Sequence, residues 1–68
     1  QQLEYNKQFI QRTVQVLIDG AGKHEGQVKG KSEFNQSVAL QGEKQIIGQI
    51  VSVQIKKALT HSLLGERA

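Results

Sequence analysis

The residues best placed to do chemistry are lysines and small polar side chains. Lys29 and Lys31 alternate along the segment 27–32, about 7 Å apart on one face if that segment is extended. Lys56 faces outward from a second apolar–polar alternation, and Lys57 follows it near the segment's end. Lys23 and His24 crown a loop. Ser32, Asn35 and Gln36 fall within the run 30–40, GKSEFNQSVAL. Ammonium groups meet phosphate, while amides and hydroxyls donate and accept at phosphates or base edges. These types in this arrangement point to RNA, with Lys23, Lys29, Lys31, Ser32, Asn35, Gln36, Lys56 and Lys57 as the candidate contacts. Lysines also keep small β proteins soluble and guard their strand edges, and any one of these can be no more than that.

Catalytic signatures are missing. His24 and His61 are the only histidines, and the chain has no Cys, which makes a poor metal site. Gly20-Ala21-Gly22 lacks the Lys-Ser/Thr pair and the following helix of a phosphate loop. No Ser-His-acid arrangement can be argued from spacing. Aromatic residues are few: Tyr5, Phe9 and Phe34. Single-strand binders stack bases on such rings. Tyr5 and Phe9 suit the packing of the N-terminal segment. Phe34 is the one candidate base platform, or else it packs at a strand end. Recognition of RNA backbone and shape is therefore expected, rather than threading of a single strand.

The elements that must position these residues are short. Sixty-eight residues allow one domain. A chain this small leaves roughly 40% of its unfolded surface exposed, so its core is modest. The net charge of +3 and a pI near 9.5 favour a polyanionic partner. No apolar run approaches the ~20 residues of a membrane span, and no signal-peptide pattern appears. The lack of Cys suits a reducing compartment, and a cytoplasmic location is expected. The chain begins at Gln1 without a Met, as expected of a segment of a longer protein.

Residues 1–11 read as a linker or a short helix, with Leu3, Tyr5, Phe9 and Ile10 able to lay one apolar face on the body. Residues 12–68 read as an all-β domain. Period-two alternation marks strands at 13–18, 27–32, 37–40 and 49–59, and a short fifth at 62–66. The predicted core is Val14, Val16, Val28, Val38, Val51, Val53 and Ile55. A turn is expected at 19–22, and one helical turn or an extended plug at 45–48. Gly30 inside a strand marks a bend, a bulge or a close backbone approach. Five short strands with glycine at the corners predict a small antiparallel barrel of the OB-like kind.

GKSEFNQSVAL, followed by IIGQIVSVQI and then ALTHSLLGE, resembles the TRAM domain. More narrowly, these stretches are similar to the C-terminal TRAM domain of bacterial tRNA methylthiotransferases. Gln1, Gln2, Asn6 and the strand TVQVLIDG resemble the junction at which the radical-SAM barrel of those enzymes passes into TRAM. The family pattern is Gly-Arg-Thr, a short polar linker, Asn-Arg and an apolar strand. Here Lys31 stands for the first Arg, Ser32 for the Thr and Gln36 for the second Arg, so two guanidinium forks for phosphate are absent. Relatives that modify a ribosomal protein carry an acidic stretch after this motif, whereas Glu33 stands alone here. The resemblance implies a five-stranded barrel that docks the anticodon stem-loop of tRNA beside an upstream radical-SAM domain of the same chain. It implies a parent enzyme with 4Fe-4S clusters and S-adenosylmethionine, whose cluster cysteines lie outside this non-catalytic segment. A stand-alone TRAM RNA chaperone and a domain serving mainly protein–protein packing are the competing expectations.

Overall fold

β-Branched residues at every second position drive most of this chain into strands. The computed structural model describes residues 2–68; Gln1, the first residue of the N-terminal segment, lies outside them. The elements run α1 (Gln2–Lys7), β1 (Thr13–Ala21), β2 (Gln27–Ser32), β3 (Ser37–Gln41), a single 3-10 turn (Lys44–Ile46), β4 (Ile50–Ala58) and β5 (Leu63–Arg67). The strands close into a barrel in the order β1-β2-β3-β5-β4, with β4 returning to β1. The predicted small five-stranded barrel is the observed one. Its wholly antiparallel character is not: β3 pairs with β5 in parallel, and the other four pairings are antiparallel. The reason is geometric. Strand directions cannot alternate all the way around a closed ring with an odd number of members.

The barrel interior is aliphatic. All seven predicted core residues are buried, joined by Ile18, Leu40 and Leu63 and capped by Phe9. The expected turn at 19–22 is instead largely strand, because β1 continues to Ala21 through a bulge between Ile18 and Gly20. The additional residue there, Asp19, is exposed and carries no core cost. The helical turn expected at 45–48 forms slightly earlier, at Lys44–Ile46, and Ile46 packs on the core.

Gly30 marks the closest approach of two strands. It pairs with Ile18 on one side and Val38 on the other. A Cβ added to it would lie 2.0 Å from the Leu17 carbonyl oxygen. Of the three readings of this glycine, close backbone approach is the one the fold uses.

α1 is too short to persist alone. The apolar stripe its sequence suggests holds it only in part: Phe9, just beyond the helix, is buried, while Tyr5 is 44% exposed, and an amide supplies a further anchor. Asn6, on the same helix, is 1% exposed. Its Nδ2 donates to the Leu59 carbonyl at 2.7 Å, and its Oδ1 accepts from Gln36 Nε2 at 2.8 Å. Replacing Asn6 with Leu leaves the buried Gln36 amide without this partner, at an expected cost of about 1–3 kcal/mol. Chemical denaturation reads this as a lower midpoint. An unchanged midpoint would mean that the amide does not anchor the helix.

Candidate nucleic-acid interface

The strand register joins several of the lysines in a band around the barrel. Lys29 pairs with Ala39, Ala39 with Leu64, and Leu64 with Lys57, so four outward positions form one row across β2, β3, β5 and β4. Three strand spacings separate its ends, or about 14 Å. Lys31 stands two residues along β2 and is exposed like Lys29. At the other end of the row, a bulge between Ile55 and Lys57 breaks the alternation of β4. Regular alternation would turn Lys57 inward after Ile55 and Lys56. The bulge leaves both lysines exposed and returns Ala58 to the core. Lys23 and His24 reach this band from the β1–β2 loop. With Lys29 they line a shallow depression of about 430 Å³ that also includes Ala39, Leu59 and Leu64. Lys56 and Lys57 line a neighbouring one of about 540 Å³, together with Glu66 and Arg67.

Nothing neutralises this band at close range. Among the described residues the one ion pair is Lys7–Glu4 at 3.9 Å, on α1. The β1–β4 pairing presents a different surface. Outward pairs Thr13–Gln54, Gln15–Ser52 and Leu17–Ile50 carry no charge, and Gln15 Nε2 donates to Ser52 Oγ at 2.8 Å. Leu17 is 48% and Ile50 67% exposed. Leu17 also pairs with Lys31 on β2, so this patch adjoins the band.

The β2–β3 connection sorts the remaining candidates. Ser32 N donates to the Gln36 carbonyl at 2.9 Å, which leaves Glu33, Phe34 and Asn35 as a three-residue loop. Asn35 ends it with φ 64°, the left-handed conformation such hairpins require and Asn tolerates. Asn35 is exposed, but Ser32 and Gln36 are 7% exposed each. Ser32 Oγ accepts from Phe34 N at 3.1 Å and Gln36 N at 3.2 Å, and the Gln36 amide is held by Asn6. Ser32 and Gln36 therefore shape the loop from inside, and the expectation that their side chains reach RNA gives way to that role. Of the eight sequence candidates, Lys23, Lys29, Lys31, Lys56 and Lys57 are exposed along the band, and Asn35 stands at the β2–β3 turn. Arg12 and Arg67 were missed because neither belongs to an alternating lysine pair. Asn6 was missed as an anchor because a polar residue on a polar helix gives no burial signal.

The sequence matches the TRAM domain profile over residues 7–67. The chain belongs to the TRAM domain family. It is 46% identical over 68 residues to the tRNA-2-methylthio-N(6)-dimethylallyladenosine synthase of Orientia tsutsugamushi (strain Boryong). It is 42% identical over 67 residues to the enzymes of that name from Rickettsia akari (strain Hartford) and Rickettsia bellii (strain OSU 85-389). Each match covers 97% of this chain and 15% of the relative. The chain thus spans a small part of the length of the curated relatives it matches.

The two histidines of the TRAM barrel lie in separate loops. His24 lies in the β1–β2 loop and His61 in the β4–β5 loop. No group of three or more His, Cys, Asp or Glu that could hold a metal occurs among the described residues. An iron–sulfur cluster needs thiolates, and this chain has no Cys, so its residues do not fit that group. What the arrangement can do is electrostatic: hold successive phosphates against a lysine band.

Proposed function

We propose that this TRAM domain is a non-catalytic RNA-binding module that docks the anticodon stem-loop of tRNA for a radical-SAM methylthiotransferase. The observation that carries the reading is the band of five exposed lysines on the barrel surface, none of them in an ion pair among the described residues. Exposed cations gain most from polyanions when no carboxylate already holds them. The relatives are named for making a methylthio-modified adenosine in tRNA, which supports tRNA as the polyanion. The 4Fe-4S clusters and S-adenosylmethionine of such an enzyme belong to its catalytic part. The uncharged β1–β4 face, with Leu17 and Ile50 exposed, favours a second role alongside the first: packing against the upstream radical-SAM domain of the same protein. Interface cores are depleted in charge in this way. Both roles suit a cytoplasmic protein, and no helix among the described residues is long and apolar enough to cross a membrane.

Hydroxyl-radical footprinting of this chain on a full tRNA tests the docking site. Protection is expected on the anticodon arm. Protection confined to the acceptor arm or the elbow would contradict it.

A further inference from the structure

The lysine band does not account for Phe34. This residue sits in the middle of the three-residue β2–β3 loop, a position where polar residues and glycine prevail, and it is 42% exposed. The core does not need it, since Phe9 already fills that end of the barrel at 3% exposed. Phe34 packs on Phe9 with ring centroids 5.1 Å apart. The Arg12 guanidinium lies 5.2 Å from the Phe9 centroid and 6.0 Å from that of Phe34. The loop beneath is fixed by the Ser32 hydroxyl and by the Gln36–Asn6 amide pair. Lys31, exposed, immediately precedes Ser32.

An aromatic ring held out on a rigid loop beside a guanidinium is the arrangement that receives an unstacked nucleobase. The ring offers a sequence-tolerant π face, and the cation meets the adjoining phosphate or extends the stack. Pre-organisation keeps the ordering cost of binding low. We propose that Phe34, supported by Phe9 and Arg12, is a stacking ledge for one unpaired base of the bound RNA. The ledge rests on the RNA-binding reading, and adds to it a preference for RNA with an unpaired loop over continuous duplex.

The test compares an RNA hairpin with an unpaired loop against a fully paired duplex of matching stem sequence. Phe34→Ala is expected to weaken hairpin binding roughly 5- to 100-fold and duplex binding by less than about twofold. The chain has no Trp, so Phe34→Trp supplies a single reporter. Its emission is expected to be quenched by saturating hairpin and left unchanged by duplex. This second variant keeps the large apolar ring on Phe9 and reads stacking directly, even if Phe34→Ala folds poorly. Equal losses on hairpin and duplex, or an indole whose emission ignores bound hairpin, would overturn the ledge and leave the lysine band intact. If the unsubstituted chain binds neither RNA, the RNA-binding reading itself fails and the ledge fails with it.

Discussion

Gly30→Ala is expected to remove most of the stability of this domain. The added Cβ would lie 2.0 Å from the Leu17 carbonyl oxygen, 2.7 Å from its carbonyl carbon and 2.9 Å from Ile18 Cα. All three are backbone atoms of the neighbouring strand, so no side chain can swing aside. Ordinary overpacking costs about 1–3 kcal/mol, and a backbone collision belongs at or above the top of that range. A domain of this size holds roughly 3–10 kcal/mol in total, at about 0.05–0.15 kcal/mol per residue. The thermal midpoint should fall by more than about 12 °C, at about 4–8 °C per kcal/mol for a small domain. Gly20→Ala is the control. A Cβ there meets only the end of the Lys29 side chain, at 3.6 Å. Its cost should stay within about 1 kcal/mol, the range of a tolerated Gly-to-Ala change. Similar midpoints for the two variants would show that β1 and β2 do not approach as closely as described.

Replacing both Lys29 and Lys31 with Ala is expected to weaken tRNA binding and flatten its salt dependence. Every phosphate that a lysine no longer meets takes about 0.7–0.9 from the slope of log K against log salt, so two take roughly 1.4–1.8. If the binding free energy of these lysines is all counterion release, this corresponds to roughly 15- to 30-fold in affinity at 0.15 M salt. Both side chains are exposed on β2 and make no ion pair, so the variant should fold normally. Replacing Lys7 and Lys44 together removes the same two charges from the +3 chain. Lys7 lies on α1 outside the band and Lys44 only at its margin, beside Lys23 and His24, so the loss of affinity should be clearly smaller. Equal losses would reduce the effect to net charge. A folded Lys29/Lys31 variant with unchanged affinity would return the band to the role of solvated strand edges.

Much of the fold was legible because one face of each strand is buried. Val14, Val16, Val51, Val53 and Ile55 repeat with the period of a strand, and burial follows that period. The parallel β3–β5 pairing was not legible, since it arises from closing five strands into a ring and leaves no mark on either segment. Nor was the outward placement of both Lys56 and Lys57, which depends on a bulge that alternation alone would deny. The outward placement of Lys29 and Lys31 was legible, and the difference between the two loop amides was not. Asn35 and Gln36 look equivalent in sequence, yet Asn6, thirty positions before Gln36, draws one of them inside. Arg12 and Phe34 meet only through tertiary structure, with Phe9 as the intermediary.

The central claim is that this TRAM domain binds RNA through its lysine band. Its most direct test is the salt dependence of tRNA binding by the unsubstituted chain. If Lys23, Lys29, Lys31, Lys56 and Lys57 all meet phosphate, log K should fall with log salt at a slope of roughly −3.5 to −4.5. A slope near zero, or no measurable binding at low salt, would contradict it.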